Sequence, residues 1–290
     1  MTVSPRSGEL KPAAANPVLL RDRIERLLWH LDQQATKRLI AYGPQGRPLV
    51  VFSDHVSAAI LQLRRSRRAR AARDLDTATS IESAITAVGR VLPLNQKPAE
   101  IVAFLEWTRR FAPHRLCEIG VESGGTHLLF KRALPQIELT VAIDLFVRHK
   151  AHLRYFAPPG QRSLFVDASS YDPRTVDRVK QALDGQPLDL LFIDGDHSFA
   201  GAAADFELYR PLVRPGGIIA FHDIVEDSFI RTGRRARAYV GEVPQLWRQI
   251  RAHYPEHREF VESWTQDGYG IGAIVYDPAV AVRLEPPAHH

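Results

Sequence analysis

The sequence predicts an α/β fold with a mainly parallel sheet, preceded by a small, mostly helical N-terminal region. Three observations predict it. From about residue 98 onwards, short apolar runs alternate with amphipathic helical stretches, the pattern that covers both faces of parallel strands with helices. Most of those apolar runs finish at or beside an acidic residue, and the first leads into a glycine-rich turn. The chain also has 290 residues, 45% of them hydrophobic and 24% charged, which is enough to bury one sizeable core and carry an appendage.

Residues 1–16 are polar and Pro-rich and read as a disordered tail. Asn16 and Pro17 make an N-cap and first-turn pair ahead of Leu20, Ile24, Leu27, Leu28 and Leu31, spaced as in an amphipathic helix. RLIAYG (38–43) and PLVVFSD (48–54) flank Pro44, Gln45 and Gly46 and predict a β-hairpin. Val56, Ile60 and Leu63 then begin a helical stripe that runs into RRSRRARAAR. Residues 17–90 are accordingly expected to form an accessory region, 91–278 the main domain and 279–290 a C-terminal tail. In the main domain Pro98 suits a first helical position ahead of Ile101, Phe104, Leu105 and Phe111. The expected strands are RLCEIG (115–120), ELTVAID (138–144), SLFVDA (163–168), LDLLFID (188–194) and GIIAFHD (217–223). REFVESW and GIGAIVY close the domain as an antiparallel pair, and helices are expected near 124–134, 146–156, 173–184, 198–213 and 244–253.

Composition excludes several classes. No run approaches the roughly 20 apolar residues of a spanning helix, and the first residues lack the apolar core of a signal peptide, so a soluble, cytoplasmic protein is expected. Cys117 is the only cysteine, which rules out an intrachain disulfide or a CxxC site and leaves a packing role inside a strand.

Ligands of an open parallel sheet bind beyond the carboxyl ends of its strands, so those ends are where chemistry is sought. The first strand supplies Glu118, Ile119 and Gly120, followed by Val121, Glu122, Ser123, Gly124 and Gly125 before a helix. Glycines at such a turn supply positive φ and let the backbone approach a ligand. A dinucleotide turn needs GxGxxG, because a diphosphate rests on it, and a glutamate at position 122 would repel that group. S-adenosylmethionine (SAM) carries a sulfonium and no phosphate, so acids around its turn are compatible. Asp144, ending the second strand, is placed to accept hydrogen bonds from ribose hydroxyls, and Asp167 with Ala168, ending the third, suits the adenine amino group and edge. One such acid alone serves as often to cap a helix or shape a turn; recurrence at successive strand ends favours a ligand.

QKPAE (96–100), CEIGVESGGT (117–126), AID (142–144), FIDGDHSFAGAAADFELYRPLVRPGGIIAFHDI (192–224) and GIGAIVYD (270–277) resemble the class I SAM-dependent methyltransferases. The likeness is to the family-24 type, related to sugar and macrolide O-methyltransferases and the cephalosporin hydroxylase group, and it leaves residues 1–90 uncovered. It implies a Rossmann-like, seven-stranded, mainly parallel sheet with the last strand antiparallel. It further implies SAM as cofactor, held around Glu118, Gly120, Ser123, Gly124, Gly125, Asp144, Asp167, Ala168 and Asp194, and small-molecule hydroxyls as acceptors.

The fourth strand ends Asp194, Gly195, Asp196, His197 and the fifth ends His222, Asp223. Adjacent strand ends lie side by side, which makes Asp194, His222 and Asp223 a candidate divalent-metal set. In the metal-dependent O-methyltransferases that this chain resembles, acids at all three of these positions bind magnesium, and a histidine at the position of His197 serves as base in some. His222 departs from that pattern, and an imidazole suits manganese, iron or zinc better than magnesium. His197 is thus the expected general base and Asp194 the metal anchor. The plainer alternatives are a turn or substrate-orienting role for His222 and a helix cap for His197 beside Ser198.

The net charge of +5 is unevenly placed. Arg64, Arg65, Arg67, Arg68, Arg70 and Arg73 read first as a solvated helix face; without an aromatic platform nearby, nucleic acid is the weaker partner. Arg231, Arg234, Arg235 and Arg237 follow the fifth strand end and suit a lid that grips an anionic group on the acceptor. Trp247 and Trp264 fit either the mouth of the site or the core. The N-terminal helices offer contacts for a homo-oligomer. The expected activity is SAM-dependent O-methylation of a sugar or natural-product hydroxyl, assisted by a divalent metal such as magnesium or manganese. Its rivals are an RNA methyltransferase using the basic N-terminal region, an NAD-dependent oxidoreductase, which Glu122 disfavours, and a non-catalytic SAM-binding protein.

Overall fold

The computed structural model describes residues 47–63, 65–233 and 239–287. The chain divides into two units, Met1–Val56 and Ser57–His290. Of the first, only the opening turns of helix α1 (Arg47–Leu63) are described, and that helix runs on into the second unit. The helix expected around Leu20–Leu31 and the strand expected at 38–43 lie outside the described residues. The second hairpin strand, expected at 48–54, is instead helical. A short apolar run fits either period; here Pro48 sits in a first turn, where its missing N–H costs little, and the apolar pattern continues through Leu63.

Helix α2 (Arg65–Asp76) carries the first arginine run, and α3 (Ile81–Gly89) starts at a Ser80 N-cap whose hydroxyl accepts from Ser83 N. Leu61, Leu75, Ile81, Ala84, Val88 and Leu92 share one apolar cluster with Phe104, Phe130 and Phe192 of the sheet domain. The expected boundary at residue 90 is therefore not a break in the core. Short amphipathic helices bury their stripes on a neighbouring layer, and for residues 57–90 that layer is the domain itself.

After α4 (Pro98–Arg109), strands and helices alternate: β1 (Arg115–Ile119), α5 (Gly125–Ala133), β2 (Leu139–Asp144), α6 (Lys150–Tyr155), β3 (Arg162–Asp167), α7 (Pro173–Leu183), β4 (Leu188–Ile193), α8 (Phe199–Tyr209), β5 (Val213–His222). Helix α6 is shorter than the expected 146–156, because His149 enters it with a left-handed φ of 55°. Helices α9 (Ser228–Thr232) and α10 (Val243–His253) lead to β6 (His257–Phe260) and β7 (Ile271–Val275). The seven strands lie in the order β3-β2-β1-β4-β5-β7-β6, with β1 to β5 mutually parallel and β7 antiparallel to both its neighbours. The Rossmann-like sheet is as expected, and the last strand slots between β5 and β6.

Period-2 alternation sends Leu116, Ala142, Leu190 and Ala220 to one helical layer and Cys117, Val141, Leu191 and Phe221 to the other. Burial pushes the Cys117 thiol far above its ordinary pKa, which fits an inert packing group. Trp247 is core, its ring beside Phe221 and its indole N–H donated to Glu259 Oε1 at 2.7 Å, whereas Trp264 is exposed. Among the described residues, no helix is long and apolar enough to cross a membrane.

Candidate active site

The chain winds outward from β1 to β3 and then jumps back to β4, so the direction of winding reverses between β1 and β4, where a crevice opens at the strand ends. Gly120 N donates to Ile143 O at 2.9 Å and Asp194 N to Ile119 O at 2.8 Å, which sets the ends of β2, β1 and β4 in register. Gly120 has φ +84°, and a Cβ there would stand 1.9 Å from the Asp194 carbonyl oxygen, so only glycine lets the turn cross the end of β4 so closely.

The expected cofactor residues stand at this turn and at the ends of β1, β2, β3 and β4, and several are already engaged. Asp144 Oδ2 accepts from Glu122 N at 2.8 Å and Oδ1 from Phe146 N at 3.3 Å; burial nevertheless pushes its carboxyl pKa up. Asp144 thus shapes the turn as well as facing the crevice. Asp167 accepts from Val147 N at 3.0 Å and pairs with Lys150 Nζ at 3.0 Å, while Ala168 N donates to Asp144 O at 2.9 Å. Glu118 lies deeper: it is 1% exposed and its Oε2 is 2.8 Å from His127 Nδ1. Burial drives the Glu118 carboxyl well up and the His127 imidazole well down. Ser123, Gly124 and Gly125 are all buried in the turn that leads into α5.

Beyond β4 and β5, three side chains converge. One ligand atom each from Asp194, His197 and Asp223 lies within 4.8 Å of the other two. His197 Nδ1 donates to Tyr239 O at 2.6 Å, and the two rings stack with centroids 6.0 Å apart. That bond leaves Nε2 facing the acids, 3.5 Å from Asp223 Oδ2 and 3.8 Å from Asp194 Oδ1. Burial favours the neutral ring, but Asp194 and Asp223 outweigh it and raise the His197 pKa to about 8. Burial likewise favours a neutral Asp194, yet the His222 and His197 charges hold its carboxyl at about 2. Asp223 adopts a left-handed φ of 62°, with Oδ1 accepting from Tyr269 N at 3.1 Å.

His222, expected among the metal ligands, is 5% exposed, with Nδ1 3.1 Å from Asp194 Oδ1 and 3.5 Å from Asp223 Oδ2. Although burial opposes it, both carboxylates drive its pKa well up, so its ring braces the acids as a charged donor. The group that converges is therefore Asp194, His197 and Asp223, with His197 inside it where the sequence placed His222. Tyr239, which orients His197, escaped the sequence reading because it is 42 residues away with no local motif. So did Asn95, which donates to Glu122 Oε2 at 2.9 Å. Gln96, within the QKPAE segment, reaches Asp194 Oδ2 at 3.5 Å.

Arg231 does not grip a substrate in this arrangement. Its guanidinium donates to the carbonyls of Glu226 and Gln266, each at 2.6 Å, and of Thr265 at 3.2 Å, strapping α9 to the β6–β7 loop. Arg234, Arg235 and Arg237 lie outside the described residues, as does Arg64. On α2, Arg65, Arg67, Arg70 and Arg73 are exposed, while Arg68 bonds Gln62 and lies 4.6 Å from the Tyr155 ring centroid. That is the arrangement of a helix face turned to solvent.

Part of the chain is similar to known proteins. Residues 117–224 match the protein family described as a methyltransferase domain. A rhamnosyl O-methyltransferase of Mycobacterium tuberculosis is 30% identical over 123 residues, 41% of this chain and 47% of that protein. An uncharacterized protein of Sinorhizobium fredii is 24% identical over 187 residues, 61% of this chain and 18% of that protein. This chain thus spans less than half the length of these relatives. Among solved structures, an O-methyltransferase from Bacillus cereus in complex with S-adenosylhomocysteine (SAH) is 17% identical, with a TM-score of 0.48, covering 69% of this chain and 94% of that one. Residues 117–224 are thus similar to a methyltransferase domain, and the crevice between β1 and β4 is the part of the fold where chemistry is to be sought.

Proposed function

We propose that the protein transfers the methyl group of SAM to a hydroxyl of a sugar or natural-product small molecule, assisted by a divalent ion. The observation that carries this reading is the convergence of Asp194, His197 and Asp223 at the strand ends beside the Gly120 turn. The match to a rhamnosyl O-methyltransferase supports a hydroxyl on a sugar-like acceptor.

The donor set of two carboxylates and one imidazole fits a divalent ion, and the nitrogen ligand favours manganese or zinc over magnesium. When bound, SAM supplies an electrophilic methyl group and the ion a charge that lowers the acceptor hydroxyl's pKa. The rest falls to the chain's own side chains. Gly120 lets the turn approach the donor, and Asp144 and Asp167 present oxygens to the ribose and adenine. Tyr239 fixes the tautomer of His197, so that Nε2 is its working nitrogen. Asp194 and His197 orient the acceptor oxygen towards the methyl carbon, and holding those atoms in line supplies much of the rate. A C–O bond forms as the S–CH3 bond breaks, the hydroxyl proton leaves to water, and SAH departs.

The test is turnover of methyl-labelled SAM on a panel of sugar and phenolic acceptors, before and after chelation, with manganese, magnesium or zinc added back. Methylated acceptor that disappears on chelation and returns with one ion is the expected result. Full turnover by both Asp194→Ala and His197→Ala, with SAH binding unchanged, would overturn the assignment of these residues.

A further inference from the structure

Glu100 has a task that the cluster at the strand ends leaves unassigned. It stands in the first turn of α4 and is 2% exposed, and every hydrogen bond its carboxylate accepts comes from the connection between β6 and β7, residues 261–270. Oε1 accepts from Gln266 Nε2 at 2.6 Å and from Glu262 N at 3.1 Å, and Oε2 accepts from Gly270 N at 2.9 Å. All three donors are neutral. A buried carboxylate must be hydrogen-bonded, so one whose donors all belong to a single loop fixes the course of that loop.

The end of the loop touches the cluster. Two consecutive backbone N–H groups diverge there: Gly270 N goes to Glu100, and Tyr269 N goes to Asp223 Oδ1 at 3.1 Å. Tyr269 is held at a left-handed φ of 66°. The backbone just after Asp223 is bound to the same pair, Val225 N to Tyr269 O at 2.9 Å and Ile224 N to Gly270 O at 3.4 Å. With Oδ1 taken by Tyr269, Asp223 presents Oδ2, which lies 3.5 Å from His197 Nε2 and 3.5 Å from His222 Nδ1. The oxygen that faces the cluster is therefore set by where Tyr269 lies, and Glu100 holds the residue next to it.

We propose that Glu100 is a positioning residue for Asp223: by fixing residues 262–270 it sets which carboxylate oxygen Asp223 offers to a divalent ion. This rests on the reading of Asp194, His197 and Asp223 as an ion site. It gives a reason for a buried acid on a helix that contributes no group to that cluster.

The test titrates manganese into the chelator-treated full chain and follows the free ion by electron paramagnetic resonance, with SAH calorimetry and thermal melting in parallel. Glu100→Gln keeps the shape of the side chain but turns an amide donor against loop N–H groups, and it is expected to lower manganese affinity roughly tenfold while SAH affinity holds. Gln266→Met removes one donor from Oε1 and leaves the Gly270 bond, so it is expected to melt lower yet keep manganese affinity within about twofold of wild type. Unchanged manganese affinity in Glu100→Gln, equal losses in both variants, or manganese and SAH affinity falling together would overturn the proposal and leave the ion site standing. Hydrogen exchange on the wild type decides the matter should Glu100→Gln not fold. Linkage is reciprocal, so manganese is expected to slow exchange at Tyr269 and Gly270, and exchange there that ignores the ion would overturn the proposal. If wild type bound no manganese, the reading of the ion site would itself fall, and the proposal with it.

Discussion

Strand β4 carries an aspartate just inside its start and another just past its end, and the two are treated oppositely. At the start, Asp189 accepts from His114 N and Arg115 N, each at 2.9 Å, and from Arg214 Nε at 2.7 Å, so its lone pairs are occupied by groups that go nowhere. Past the end, Asp194 meets two imidazoles and a distant amide, in a crevice with strained backbone at Glu122, Asp223 and Tyr269. The first carboxylate ties strand ends and a loop together. The second is held ionised with coordination to spare. Under the proposed function, identical chemistry serves stability at one end and reactivity at the other, because only the outgoing ends face the crevice.

The largest effect expected from this contrast is on turnover. Asp194→Asn should lower methyl transfer per folded molecule roughly 10²–10⁴-fold, as seen by labelled-SAM assay with thermal melting in parallel to fix the folded fraction. Asp189→Ala should do the reverse: it strands two backbone N–H groups and the Arg214 charge, costing about 3–5 kcal/mol in denaturant unfolding, with activity per folded molecule kept. A large activity loss from Asp189→Ala at full folding would erase the distinction between the two ends.

Asp205 sharpens the comparison, being a buried acid that belongs to neither class. It is 0% exposed on α8, and burial pushes its pKa to about 7, the Ser170 hydroxyl and the Asp196 charge acting in opposite directions. With its folded pKa above the unfolded value, the folded state holds the proton more tightly. Stability from this group is therefore present at low pH and lost as pH rises from about 4 to about 7. Asp205→Asn should gain of order 2–4 kcal/mol over wild type at pH 8, and the gain should vanish near pH 4 in urea melts at the two pH values. The smallest effect is expected at Arg231, where Arg231→Ala removes a strap on the β6–β7 loop; it should cost about 1–2 kcal/mol and leave SAH affinity unchanged.

Much of this was legible in the residues. The strands of the sheet domain and the polar groups at their ends follow from local periodicity, which is why Asp144, Asp167, Asp194 and Asp223 stand where they were expected. Residues 48–54 misled because seven residues of mixed apolar character fit a strand as well as a helix, and only their continuation through Leu63 decides. Glu118 is expected beside the cofactor, and its Oε2 is paired with His127 in the interior. Nothing in the CEIG segment says which face an acid takes when a histidine on the following helix stands ready to receive it.

Alternating apolar and polar periods by themselves determined the layered sheet and the row of acids at its outgoing edge, because burial repeats every two residues in a strand and every 3.6 in a helix. Which imidazole joins those acids was decided only by tertiary contact. His197 turns Nε2 to the carboxylates because Tyr239, far along the chain, takes its other nitrogen, and His222 is held by the carboxylates it braces. Those directions depend on groups that meet only when the fold closes.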